Sequence, residues 1–164
     1  MFMKKENSKQ PQTSATMFLK KHNIAFDIFE YQYDSGGGAM QASRELGVKL
    51  NDVVKTLILE DEQKNPLIML MNGDAEVSLK NLARQIGVKS IKPCSHKDAQ
   101  KNSGYVVGGT SPFGTRKKMP IYIEQNIMTK SVIYINGGRR GLILKINPNI
   151  LISLTKAITV QAIR

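Results

Sequence analysis

Two β-rich runs, residues 53–59 and 67–71, flank a polar turn at residues 60–66. Both are dominated by valine, isoleucine, leucine and methionine, and so short a turn returns the chain antiparallel, so the pair predicts a hairpin. Further strands are expected at residues 24–31, 121–123, 131–135 and 142–146. Helices are expected between them. Thr13 or Ser14 caps the first, which runs through His22 with Met17 and Phe18 turned inward. The second covers residues 39–47, and the third runs from Ser78 to Gly87. The endings Arg44 to Lys49 and Arg84 to Lys89 share Arg, Gly, Val and Lys at matching places, which reads as common C-cap chemistry. Ser95, with Asp98 three residues on, starts a short helix ending near Gly104, and Asn147 with Pro148 starts the last. Irregular alternation with hairpins predicts an α/β domain with a mixed, barrel-like β-sheet flanked by helices rather than a doubly wound parallel sheet.

At 164 residues and 41% hydrophobic content the chain suits one domain with a real core. Residues 1–12 are polar without a sustained period, so a flexible N-terminal arm is expected before a domain of residues 13–164. No apolar stretch is long enough to span a bilayer, and the opening residues lack the apolar middle of a signal peptide. No membrane association and a cytoplasmic location are therefore expected. One cysteine, Cys94, with only His22 and His96 makes a poor metal set, and no metal or organic cofactor is expected. Cys94 and His96 would share a face on a strand, as a nucleophile and base might require, but no third residue orients them; a plain surface pair is the expectation.

The charge is lopsided. Residues 1–76 carry 9 basic and 11 acidic side chains, a net of −2, whereas residues 77–164 carry 15 and 2, a net of +13. A positive half of this kind suits a phosphate backbone. Aromatics make up only 6% and tryptophan is absent, too few for a base-stacking platform, so recognition of backbone and strand end is expected.

Residues 103–118 break from an apolar run into a loop holding Gly108, Gly109, Pro112 and Gly114, then leave it through Arg116, Lys117 and Lys118. Glycine admits close backbone approach to a ligand, and proline stiffens the turn. A second glycine loop, residues 136–141, carries Arg139 and Arg140. Lys55 is the anomaly of the first hairpin: it shares a strand face with Val53, Leu57 and Leu59. Either its ammonium lies in a site, or its stem snorkels at a sheet edge, or the Val54, Thr56, Ile58 face is the inner one. Ser111 does not sit in a strand-turn-helix elbow, and the first loop lacks the Lys-Ser/Thr ending of a phosphate-binding loop. What remains is a lysine, backbone donors and basic rims. That set suits an acyl ester on a polyanion, its nucleophile supplied by water or by the substrate.

The ordered set of Lys55-Thr56, the alternating hairpin, Leu82-Ala83 through Lys89, residues 103–114 and Gly137-Gly138-Arg139-Arg140-Gly141 resembles the YbaK/EbsC family over about residues 14–160. That family comprises free-standing trans-editing deacylases similar to the editing insertion of bacterial prolyl-tRNA synthetases. The resemblance implies a single-domain YbaK-type fold and removal of a wrong amino acid, typically cysteine, from tRNA(Pro). Lys55 matches the family's essential lysine, and Gly108 and Pro112 its Gly-x-x-x-Pro motif. Gly109, with Thr110 and Ser111, would line the pocket, Gly109 offering a backbone donor to the scissile carbonyl. Tyr31 and Thr56 complete the implied substrate contacts, and Arg116, Lys117, Lys118, Arg139 and Arg140 are the expected tRNA contacts. A mischarged tRNA acceptor end is the implied partner, with prolyl-tRNA synthetase a candidate second. Residues 35–38 replace bulkier residues of cysteine-directed members, which leaves alanine as an alternative amino acid. A non-catalytic module that binds RNA ends is the rival reading.

Overall fold

The computed structural model describes residues 3–4 and 10–164, so most of the arm expected over residues 1–12 lies outside the described residues. The predicted hairpin is the centre of the fold: β3 (Val53–Asp61; β1 and β2 precede it) pairs antiparallel with β4 (Pro66–Asn72) from Val54↔Asn72 to Glu60↔Pro66. Seven further strands complete one sheet. These are β1 (Met3–Lys4), β2 (Asp27–Glu30), β5 (Ile91–Pro93), β6 (Ile121–Glu124), β7 (Ile133–Asn136), β8 (Leu142–Ile146) and β9 (Ile158–Val160). The hydrogen-bonded order is β1-β2-β8-β7-β3-β4-β6-β9, with β5 against the far end of β3. The β3/β7, β4/β6 and β6/β9 pairs are parallel and the rest antiparallel, so the sheet is mixed, as the hairpin pattern predicts.

Five helices flank it: α1 (Ser14–Lys21), α2 (Gly38–Leu46), α3 (Leu79–Ile86), α4 (His96–Ser103) and α5 (Asn149–Thr155). Their starts follow local chemistry. Thr13 and Thr16 form a capping box on α1, Ser78 Oγ accepts from Asn81 N at 3.3 Å, and Ser95 Oγ accepts from Asp98 N at 3.1 Å. Both α2 and α3 end at a glycine in the left-handed region, Gly47 and Gly87, which confirms the shared C-cap.

Several expectations shift. α1 turns Ala15 and Leu19 to the core, four residues apart on one face, and this leaves Met17 57% exposed rather than inward. The first strand begins only at Asp27, because Asn23 takes φ 57° and Ile24 N bonds back to Leu19 O at 3.0 Å, consuming residues 22–24 as the helix exit. The last helix starts one residue later than expected, with Asn147 Oδ1 accepting from Asn149 N at 2.9 Å. Strands β5 and β9, three residues each, are too short to show a period, and sequence reading misses them.

The hairpin is buried on both faces. Val54, Ile58, Ile68 and Leu70 enter the main core with Leu19, Phe113 and Leu151. Leu59, Leu67, Met69 and Met71 enter a second core roofed by Leu82 and Ala83 of α3. A third cluster sets Ala42 and Leu46 of α2 on Val53 and Ile143. Leu82 has no solvent exposure, so Leu82→Ala is expected to destabilise the fold by about 2–5 kcal/mol, read from urea denaturation. A loss below about 1 kcal/mol would show that α3 does not seal the sheet.

Candidate functional site

Val53 belongs to the cluster under α2 and Leu57 packs against the core under α3, and Lys55 lies between them on the same strand face. There it finds a gap between two roofs. The side chain is half-buried, and Nζ donates to Ala75 O at 2.6 Å. Lys55 therefore points neither into a dry core nor freely into water, and its remaining N–H bonds are left for another acceptor.

Two cavities meet at this place. The first, of about 240 Å³, is lined by Tyr31, Tyr33, Ala39, Ala42, Asn136 and Ile143 as well as by the β3 residues 53–57. The second extends toward Val77, Leu79, Cys94 and His96. They share Lys55, Thr56, Leu57, Val107, Gly108 and Thr110. Tyr31, Lys55, Thr56, Gly108 and Thr110 are thus brought together as the sequence predicts.

The other site expectations are placed differently. Ser111 is fully buried with Oγ accepting from Phe113 N at 3.1 Å, and Pro112 is buried beside it, so both build the floor of the loop rather than the wall of either cavity. Tyr105 anchors that floor through its hydroxyl, which donates to Phe113 O at 2.5 Å; burial pushes its phenol up to about 12. Gly109 lines neither cavity, and its N–H, the expected donor to a scissile carbonyl, already bonds Val106 O at 2.9 Å. Among the described residues the N–H groups of Gly108 and Thr110 have no protein acceptor. Both residues line the two cavities.

Gly109 serves the geometry instead. A Cβ there would lie 2.7 Å from Arg140 N and 2.9 Å from Arg139 C, so only glycine lets the two loops touch backbone to backbone. Asn136 stitches the same joint: Nδ2 donates to Gly108 O at 3.3 Å and Arg139 O at 3.1 Å, and Oδ1 accepts from Gly138 N at 2.7 Å. Arg140 Nε donates to Val107 O at 3.0 Å, and its guanidinium lies 5.4 Å from the centre of the Tyr33 ring. Arg139 pairs with Glu30 at 2.5 Å. Both arginines, read as tRNA contacts, are thus already engaged in positioning the loop, although both remain exposed. Arg116, Lys117 and Lys118 are exposed too, in a segment pinned to the end of α4 by Arg116 N to Ser103 O and Lys117 N to Asn102 O. Sequence reading missed Asn136 and Tyr33; the one signal was an asparagine opening a Gly-Gly turn, where a short amide readily bonds nearby backbone.

Among the described residues no carboxylate, imidazole or thiol lines the first cavity, whereas Glu76, Cys94 and His96 line the second. Tyr31 is pushed up to about 12 by burial, then by the nearby Tyr33 and Glu45, so it stays a neutral hydroxyl at ordinary pH. Cys94 is buried, at 9% exposure, and not the surface residue the sequence suggests. Burial and then the Glu60 and Asp98 charges push its thiol up to about 11, the reverse of what a nucleophile needs. Among the described residues no three His, Cys, Asp or Glu side chains gather as a metal ion would require, and no helix is long and apolar enough to cross a membrane.

Comparisons with known proteins place the chain in a family. The family model of the aminoacyl-tRNA editing domain matches residues 37–154. EbsC of Enterococcus faecalis, named as a candidate Cys-tRNA(Pro)/Cys-tRNA(Cys) deacylase, is 28% identical over 147 residues, 89% of this chain and 90% of its own length. The proline–tRNA ligase of Thermodesulfovibrio yellowstonii is 30% identical over 118 residues, which are 72% of this chain but 20% of the ligase. A solved structure described as a candidate trans-editing enzyme for prolyl-tRNA synthetase superposes with a TM-score of 0.83 at 19% identity, covering 94% of this chain and 99% of that one. At that identity it shows the fold.

Cys94 gives a direct check on the thiol. Alkylation by iodoacetamide at pH 8 should be far slower in the native protein than in urea, and should accelerate as pH approaches 11. Equal rates in both states at pH 8 would restore Cys94 as a candidate nucleophile.

Proposed function

Because the chain belongs to the aminoacyl-tRNA editing domain family, we propose that it is a cytoplasmic trans-editing deacylase that releases a mischarged amino acid, cysteine first, from the acceptor end of tRNA(Pro). The observation that carries this reading is that one cavity is lined by Lys55, whose Nζ is held by Ala75 O, and by Gly108 and Thr110, whose N–H groups have no protein acceptor among the described residues. Positive charge and backbone donors that converge from two elements suit a carbonyl oxygen that gains charge as an ester breaks. The terminal phosphate is a second acceptor within the same chemistry.

The enzyme supplies position and electrostatics, and the nucleophile comes from elsewhere. With a cysteinyl ester the substrate's own thiolate attacks the carbonyl: a C–S bond forms, the C–O bond to the ribose breaks, and the ribose oxygen takes up a proton. Water then opens the strained thiolactone. Activated water acting directly is the other route, and the two differ in what they demand of the side chain. Small residues fit this reading, since Ala39 and Ala42 with Val53 and Ile143 give the cavity an apolar end suited to a short side chain such as cysteine or alanine. The exposed cations Arg116, Lys117 and Lys118, in the half with a net charge of +13, would hold the acceptor stem by its phosphates. Prolyl-tRNA synthetase would supply the mischarged tRNA.

Lys55→Ala should lower the deacylation rate roughly ten- to hundredfold, as loss of a charge-assisted contact of about 1.5–3 kcal/mol implies, with circular dichroism and melting temperature preserved. Near-normal turnover in a folded Lys55→Ala protein would mean that the ammonium only fills the gap between two cores. Lys55→Arg keeps the charge but changes its reach, and it should recover only part of the rate.

A panel of Cys-, Ala- and Ser-tRNA(Pro) separates the chemistries. Attack by the substrate thiol predicts release of cysteine much faster than serine, because the thiol ionises near neutral pH and the hydroxyl does not. Equal release of all three points to activated water, and release of alanine above cysteine would reassign the amino acid. Binding of tRNA without release from any of them would favour the non-catalytic module.

A further inference from the structure

Thr56 is the one residue of this cavity whose polar groups are all left open. Along β3 the odd-numbered residues turn their main-chain groups to β4, as Gly73 N to Val53 O shows, and the even-numbered ones turn theirs to the opposite edge, where Cys94 N meets Ile58 O at 3.1 Å. On that edge β7 pairs only with Val53 and Val54, and β5 only from Leu59 onward. The N–H and C=O of Thr56 therefore fall in the gap, facing no strand, and no loop bonds them. The side chain adds a second, independent sign: Thr56 Oγ1 is buried and has no hydrogen-bond partner. An open N–H, an open C=O and an open hydroxyl on one residue cost stability unless something comes to meet them.

We infer that Thr56 recognises the free α-amino group of the bound aminoacyl ester, so that the site accepts unblocked aminoacyl esters and rejects N-acylated ones, peptidyl and formylated chains included. This rests on the deacylase reading above. The α-amine is one carbon away from the ester carbonyl; Lys55 and Thr56 leave β3 on opposite faces, but both line the two cavities that meet at its open edge, so a reacting unit seated there is within range of both. Among the described residues no carboxylate lines the first cavity, Glu76 of the second pairs with Arg164, and the Lys55 side chain is beside Thr56, which favours the uncharged amine over the ammonium. An uncharged primary amine has two donors and one lone pair. The carbonyl and hydroxyl of Thr56 take the donors, and its N–H meets the lone pair. Acylation removes the lone pair and one donor, and it adds bulk where β3 and the turn at residues 107–110 enclose the cavity.

The test uses the full chain with 3′-alanylamido-3′-deoxyadenosine, in which an amide replaces the labile ester, and the same compound N-acetylated on alanine. Calorimetry should show the free amine bound at least about tenfold tighter, as one to two neutral hydrogen bonds imply. Thr56→Val keeps the shape and removes Oγ1. It should cut that preference severalfold with the melting temperature unchanged or raised, because an unsatisfied buried hydroxyl is lost, and Thr56→Ser should restore it. Equal binding of the two compounds, binding of neither, or an unchanged preference in Thr56→Val overturns the inference. Deacylation of alanyl- and N-acetylalanyl-tRNA(Pro) is measured alongside. Preferential binding without turnover of either would sink the deacylase reading and leave amine recognition standing, whereas turnover of both at one rate would sink amine recognition alone.

Discussion

Strand β3 is paired along nearly its whole length by β4 on one edge, but on the other only at its two ends, by β7 at Val53–Val54 and by β5 from Leu59. That unequal pairing is the constraint on which the site depends. A strand deep in a sheet is expected to have both edges satisfied, since open main-chain groups away from water are costly. Here the open stretch is kept because the faces above and below it are apolar and well packed, so the strand stays in place without its missing neighbour. A gap framed by packed strands can be filled by a ligand with little reorganisation.

The second element of the site, the turn at residues 107–110, is held against that gap by Val107, which packs against the main core, and by polar contacts. Asn136, Arg140 and the bare Cα of Gly109 join it to the loop after β7, which is the same strand whose pairing with β3 stops short. One strand thus sets both the opening and the lid of the cavity. This explains why arginines that look like free surface charges are spent on carbonyl and ring contacts. Loops rich in glycine have few side-chain contacts of their own, and a fixed backbone needs fasteners from outside.

The electrostatics point the same way. Among the described residues the first cavity has no carboxylate, imidazole or thiol, its Tyr31 is pushed up to about 12, and the nearby Cys94 thiol is pushed up to about 11, both chiefly by burial. Lys55, with its Nζ held at 2.6 Å from Ala75 O, lines the same cavity, and in the proposed function it meets the ester oxygen. A site of this kind favours reactions that carry their own nucleophile, and its selectivity comes from shape and from polar groups that the substrate must satisfy.

The hairpin, the helix caps at Thr13, Ser78 and Ser95, the glycine C-caps of α2 and α3, and the mixed character of the sheet were determined by the sequence itself. The caps and the hairpin are decided by residues within one turn of helix or one strand repeat, and the mixed sheet follows from the irregular order of strands and helices along the chain. The resemblance in motif order also marked Lys55, Thr56, Gly108 and Thr110 as belonging together. Tertiary structure alone decided which of them face the cavity and which, like Ser111 and Pro112, lie beneath it, and whether the Gly109 N–H was open or taken. It also decided that Lys55 sits between two cores, that Cys94 is buried, and that Asn136 and Tyr33 belong to the site. Most of these rest on contacts between distant segments, such as Gly108 with Asn136, 28 residues apart, and Arg139 with Glu30, 109 residues apart. A local pattern cannot encode them, because the strand edge left open on β3 is defined by where other strands stop pairing, not by anything in β3 itself.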